Sequence, residues 1–341
     1  MKSIIKWIAK AIIAGICSIA ILSLFCVIYS YDGIHISSHT GATDYVWEPG
    51  QFKSTMKEGY AWLQMDKQGY NNVQDYSDSP DILLMGSSHM EALQVAAEEN
   101  VGYLLNKLLP DYHTYNIGMS GHTIYRCIDN LPEALQAHSP QKYVVMVIDS
   151  VELSVDDMKS VMNGEAQKLS SYDSGIIYHL QKIPAIKIIY KQLDDWISLE
   201  AKSNKNKTMF FAEESESSTE LSAEEEYYKT LSEFLRVASQ SVEEAGVKLI
   251  VVYQPMQSLQ EDGTVTYAHS EKNLRVFEKV CEEQNIIFED LTNAFDKLYS
   301  EEHILAHGFS NSQIGEGHLN KYGHSVVANE IVSKIKELEA K

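Results

Sequence analysis

From residue 80 onward, short apolar runs alternate with stripes of apolar residues at helical spacing. Asp81–Met85 (DILLM) is a short apolar run closed by Gly86, the pattern of a strand buried on both faces. Val101, Leu104, Leu105 and Leu108 recur at helical spacing until Pro110 stops them. Tyr112–Ile117 predicts a second strand, and Ile124, Cys127, Ile128, Leu131 and Leu135 mark another helical stripe. Tyr143–Ile148 (YVVMVI), Lys248–Tyr253 (KLIVVY) and Ile286–Asp290 (IIFED) predict three more strands. A helix carrying Leu274, Phe277, Val280 and Cys281 separates the last two. Val326, Val327, Ile331, Val332 and Ile335 close the chain on a final helix. Five apolar strands alternating with helices predict an α/β fold, a parallel sheet covered on both faces. Chemistry in such sheets is expected beyond the carboxyl ends of the strands.

Three stretches depart from this rhythm. Ala11–Tyr31 holds no charged residue, and about 20 such residues suffice to span a bilayer as a helix. Lys2, Lys6 and Lys10 precede it and Asp32 follows, which puts the N-terminus in the cytoplasm and the remainder outside. The run is longer than the apolar region of a cleaved signal peptide and lacks a small-x-small site near its end, so residues 1–31 are expected to form a cytoplasmic tip and an uncleaved transmembrane anchor. Residues 32–79 are aromatic, polar and dotted with glycines; they are expected to form a stalk with some helix around Phe52–Met65. An insertion at 150–243 interrupts the remaining domain, 80–341. It contains an amphipathic stretch at Ile176–Trp196, with Lys182, Lys187 and Lys191 on its polar side. Lys202, Lys205 and Lys207 extend the basic stretch, and seven glutamates among serines at Glu213–Glu226 predict an exposed acidic linker.

Composition narrows the function classes. The formal net charge of −20 repels phosphate backbones and argues against a nucleic-acid partner. The four cysteines, Cys17, Cys26, Cys127 and Cys281, match neither a disulfide framework nor metal-type spacing. His303 and His307 are spaced i, i+4 but lack the intervening Glu and third ligand of a helical zinc site, so no metal is expected.

Three loops carry candidate chemistry. Gly86-Ser87-Ser88-His89 follows the first strand, where a serine at a strand-to-helix turn can present its hydroxyl beside free helix N–H groups. Asn116-Ile117-Gly118-Met119-Ser120-Gly121 follows the second, where a glycine lets a backbone N–H approach an oxyanion. Glu316-Gly317-His318-Leu319-Asn320 precedes the last helix; a histidine there can act as general base if a carboxylate fixes its tautomer, and Glu316 is two residues away. Asp290, at another strand end, is a spare candidate for that acid, and Tyr253-Gln254-Pro255-Met256 is expected to line the cleft.

Strand–GSSH, strand–NIGMSG and a late EGHLNKYGH together resemble the SGNH/GDSL hydrolase superfamily. The anchored lead-in and central insertion resemble its membrane-tethered cell-envelope acyltransferases, among them the teichoic-acid D-alanyl transfer protein and the alginate-type O-acetylation proteins. The resemblance covers roughly residues 80–149 and 246–338. It implies a three-layer α/β/α sandwich of flavodoxin-like type, with Ser88 matching the nucleophile, His318 the base, and Gly121 with the Ser88 N–H the oxyanion hole. Ser87 occupies the position preceding the family serine. Many relatives carry an oxyanion Asn after the third strand, where this chain has Asp149-Ser150-Val151-Glu152; hydrolases commonly place an Asp at the position of Gly315. Glu316 matches the Asp-x-His arrangement of the alginate-type proteins.

The expectation is a membrane-anchored, extracytoplasmic serine esterase or O-acyltransferase, acting without a cofactor through an acyl-Ser88 intermediate. A cell-envelope glycan would accept the acyl group, and the resemblance implies a multi-pass membrane partner that exports it. The alternative from another class is a glycan-binding scaffold on a degenerate SGNH fold.

Overall fold

The computed structural model describes residues 2–31, 33–73, 78–166, 175–190 and 218–340. The first helix, Lys2–Tyr29, stands exposed, and its Ser3–Tyr29 portion is long and apolar enough to cross a membrane, with a mean hydropathy of 2.8 over its most apolar 18 residues. Two antiparallel pairs follow: β1 (His35–Ser37) with β2 (Tyr45–Trp47), and β3 (Phe52–Thr55) with β4 (Ala61–Gln64). The core strands are β5 (Ile82–Gly86), β6 (Thr114–Asn116), β7 (Tyr143–Ile148) and β8 (Lys248–Tyr253). A small hairpin of β9 (Gln257–Leu259) and β10 (Val265–Tyr267) precedes the fifth core strand, β11 (Ile287–Asp290). Last come β12 (His307–Gly308) and β13 (Ile314–Leu319), paired antiparallel.

The core sheet runs β11-β8-β7-β5-β6, every pairing parallel. This is the flavodoxin-like order, and its switch point, where ligands bind in such sheets, falls between β5 and β7. Alternate residues of each strand feed opposite layers. Leu83, Val144, Met146, Leu249 and Val251 pack beneath helices Ile124–Asp129, Leu131–His138, Ser218–Glu244 and Glu271–Glu283. Ile82, Leu84, Val145, Val147, Ile250 and Val252 pack beneath helices Val101–Leu108, Thr292–Glu302 and Lys321–Glu339. The continuous apolar runs form strands because both faces are covered.

Three expectations about the surroundings are corrected. Phe52–Met65 is a β-hairpin and not a helix: Ala61 and Leu63 are buried while Trp62 and Gln64 are exposed, a period of two. Nor do the described residues of 32–79 stand apart as a stalk. Trp47 Nε1 donates to Glu91 (2.6 Å), Asn71 Nδ2 to the Glu91 carbonyl (2.8 Å) and the Tyr115 hydroxyl to Asp66 (2.7 Å), so the lead-in is fastened to the sheet domain. The acidic stretch is likewise helical from Ser218 onward, in the crossover from β7 to β8 that buries Leu231, Phe234, Leu235 and Ala238. Its Glu226 and Glu224 pair with Lys159 and Lys272 of neighbouring helices. Residues 213–217 and Lys191, Trp196, Lys202, Lys205 and Lys207 lie outside the described residues.

The end of the first helix is fixed to β3. Ser54 Oγ donates to the Val27 carbonyl (2.5 Å), and Ser54 and Tyr31 exchange backbone hydrogen bonds at 3.0 Å in each direction.

Candidate active site

At the carboxyl end of β5 the chain turns at Gly86 into the short helix Ser88–Glu91. A side chain at Gly86 would strike Met90 Cγ at 2.6 Å and the Val147 carbonyl at 2.8 Å, so only glycine lets this helix sit so close to β7. Ser88 is the first residue of that helix, where backbone N–H groups lack intrahelical partners.

The serine hydroxyl meets His318. Ser88 Oγ lies 2.9 Å from His318 Nε2, and His318 Nδ1 lies 2.7 Å from Glu58 Oε2. The other Glu58 oxygen accepts the His318 backbone N–H at 2.6 Å. With Nδ1–H donating to the carboxylate, Nε2 is left as an acceptor for the serine proton. Burial alone would raise the Glu58 carboxyl, but the side-chain and backbone hydrogen bonds from His318 and its charge bring it below its ordinary value. Gly317, at φ +86, makes this approach possible: a Cβ there would collide with the Glu58 carboxylate.

Glu58 sits in the turn between β3 and β4, and Asn311 clamps that turn. Its Oδ1 accepts the Gly59 N–H (2.9 Å), and its Nδ2 donates to the carbonyls of Met56 and Gly59 (both 2.8 Å). The acid against His318 is therefore Glu58, and neither sequence candidate fills that place. Glu316 is exposed. Asp290 ends the edge strand β11, where it accepts from Thr292 N (3.0 Å) and Oγ1 (2.6 Å) and starts a helix. Glu58 was missed because nothing local in a Lys-Glu-Gly turn marks it as chemical; only the tertiary contact does.

Ser87 is held apart from this chain of hydrogen bonds. Its hydroxyl donates to Asp149 Oδ2 at 3.3 Å, so of the two serines Ser88 is the one on His318. Asp149 follows β7 across the switch point, and its carboxylate is 3.9 Å from His89 Nε2. Burial raises the Asp149 carboxyl, against the opposing hydrogen bond from Ser87 and the charge of His318. It opens the stretch Asp149–Glu152, in which the resemblance implies an asparagine.

Gly121 lies in the loop after β6, at φ +79 and exposed. The loop is gripped by buried Glu91, which accepts from Ser120 N (3.0 Å), from Ser120 Oγ and from Trp47 Nε1. Burial raises the Glu91 carboxyl, against the Ser120 hydrogen bond and the charge of Lys53. Among the described residues the Gly121 and Ser88 N–H groups donate to no other group.

Three further buried histidines ring His318. Burial, then charge repulsion from the neighbouring imidazoles, holds His89 well below its ordinary value. Burial lowers His307 to about 4 and His324 to about 3. They are neutral at physiological pH, and His318 is the member of the group hydrogen-bonded to a carboxylate, that of Glu58. His307 lies between Gln254 (3.0 Å) and Gln257 (3.3 Å), which places Gln254 inside the wall and away from the open cleft; His303 ends its helix at φ +57. Among the described residues no three His, Cys, Asp or Glu side chains are placed to share a metal ion.

A hydroxyl, an imidazole and a carboxylate in hydrogen-bonded series at the switch point form the constellation of nucleophilic acyl chemistry. The chain is similar in structure to TesA, at 15% identity over 75% of this chain and 98% of that one, with a TM-score of 0.40. It is also similar to the acetyl xylan esterase AlAXEase (12% identity, 74% and 98% covered, TM-score 0.40) and to a putative arylesterase from Agrobacterium tumefaciens (13%, 75% and 98%, TM-score 0.39). No protein-family model matches the sequence, and no curated protein matches it.

Proposed function

We propose that this protein is a membrane-anchored serine esterase or O-acyltransferase of SGNH type, acting outside the cytoplasm on acyl groups of a cell-envelope polysaccharide. The series Ser88–His318–Glu58 carries the reading. Ser88 Oγ attacks the carbonyl carbon of an acyl ester or thioester while its proton passes to His318 Nε2. Glu58 holds the ring and offsets the charge of the imidazolium that forms. The N–H groups of Ser88 and Gly121 are assigned to the tetrahedral oxyanion. Collapse breaks the bond to the leaving oxygen or sulfur, which takes the proton from Nε2, and an acyl-Ser88 ester remains. An acceptor hydroxyl then repeats the cycle: its proton goes to Nε2, its oxygen takes the acyl carbon, and Ser88 recovers the proton. A glycan hydroxyl gives transfer; water gives hydrolysis.

The anchor supports transfer. The apolar first helix, with lysines in its N-terminal turns, favours a cytoplasmic N-terminus and holds the serine beside donors delivered across the bilayer, a role suited to a multi-pass acyl-exporting partner.

Treatment of the full-length protein with a fluorophosphonate, read by intact mass, tests the chemistry. One adduct on the wild type, absent from Ser88→Ala and His318→Ala, is the expected result. A wild type that takes no adduct overturns it.

A further inference from the structure

We infer that Gly175–Gln181 and the helical turn at 184–190 form an interfacial element, embedded in the outer face of the bilayer beside the first helix. The inference rests on the anchoring proposed above.

Its starting point is a contact between the insertion and the apolar helix. Ala185, buried at 2% exposure, donates its N–H to Ser23 Oγ at 3.4 Å. Ser23 lies six residues before the end of the helix at Tyr29, about 9 Å along its axis. If the helix crosses the membrane up to Tyr29, Ala185 sits below the lipid surface. Amphipathic helices lying in the interface bury their apolar side about 5–10 Å deep, the same range.

The two sides of the element differ in the required sense. On one side Glu48 Oε1 accepts from the Tyr178 hydroxyl (3.1 Å) and from Lys182 Nζ (2.5 Å), whose ammonium also lies 4.5 Å over the Tyr178 ring. That polar side is tied to the lead-in behind β2. The apolar side is open: Ile176 is 76% exposed and Ile189 53%, with Leu180, Ile183 and Tyr190 also exposed. Ile176 and Leu180 stand at i and i+4 on one face of Gly175–Gln181, and Ile183 follows in the bend before the next helical turn. So many uncovered apolar side chains on a water-facing surface mark an interaction site, and continuity with the apolar anchor makes lipid the occupant.

The test uses the full chain in phosphatidylglycerol/phosphatidylethanolamine nanodiscs. p-Benzoylphenylalanine is placed singly at Ile183, Ile189, Leu24 in the anchor, or Leu259 on the exposed β9 edge. After illumination, intact mass reads the shift of one phospholipid. Shifts at positions 183, 189 and 24 and none at 259 are expected. A shift at 24 with none at 183 and 189 overturns the inference, leaves the anchor standing and leaves the face to a membrane-protein partner. Equal shifts at 259 also overturn it, as random collision. No shift even at 24 removes the anchoring and the inference with it.

Discussion

Glu58 and His318 are separated by 260 positions of sequence, yet two hydrogen bonds join them, at 2.6 and 2.7 Å. One is from the histidine ring and one from its backbone, so the carboxylate fixes both the tautomer and the placement of the strand that bears the histidine. Glu58→Gln is expected to lower kcat on a soluble aryl ester by about 10³–10⁴-fold, because an amide can donate to Nδ1 and stabilise the unproductive tautomer. Glu316→Gln is expected to leave kcat unchanged. Equal losses in the two variants would remove Glu58 from its assigned place.

The same pair predicts an acid limb in stability. The folded carboxyl of Glu58 is lowered, so its stabilising contribution is present above the unfolded carboxyl range, near pH 4.3, and fades as pH falls through the lower folded value. Thermal melts of wild type and Glu58→Gln should differ at pH 7 and draw together as pH falls from the unfolded carboxyl range through the lower folded value. A constant difference down to pH 3 would contradict this linkage.

Asp149 is the opposite case. Burial raises its carboxyl, so the folded protein is disfavoured by ionisation at neutral pH and relieved of it on acidification. Asp149→Asn removes that charge and offers an amide beside the serine loop. The variant is expected to melt higher at pH 7, with no advantage below about pH 4, and to raise kcat by about tenfold through an added oxyanion donor. Unchanged melting at pH 7 would show that Asp149 is not held against its ionisation.

Glu91 grips the Gly121 loop from behind through Ser120 and is itself held by Trp47 from the lead-in. Glu91→Ala strands these buried donors and is expected to cost about 2–4 kcal/mol in chemical denaturation. Glu91→Gln retains an acceptor oxygen. It should keep most of the stability yet lower kcat more than KM, since it acts on the loop and not on substrate binding.

The sheet was readable because its strands are buried on both sides. Tyr143–Ile148 and Lys248–Tyr253 carry unbroken apolar runs, and their observed bounds match the predicted ones. Ser88 and His318 were readable because each sits in a loop or strand next to a recognisable element. Glu58 was not. In its hairpin only β4 alternates in burial, and the aromatic Phe52 and Trp62 share the outer face, opposite buried Ala61 and Leu63, so apolar residues on both faces hide the period in the sequence. The crossover helix was obscured too: its acidic residues Glu224–Glu226 are exposed, while Leu231, Phe234 and Leu235, which dock it, come later.

The hydrogen bond from Ser54 to the Val27 carbonyl leaves no slack between the apolar helix and the hairpin that ends at Glu58. On the proposed anchoring the first helix is a foundation and not a leash. The serine would then stand at one set height over the lipid surface, and an acceptor glycan of the proposed kind would thread past it at that level. Acylation would then fall on the stretch of polymer that passes that height, so the anchor would act as a ruler for where along each strand the mark is placed.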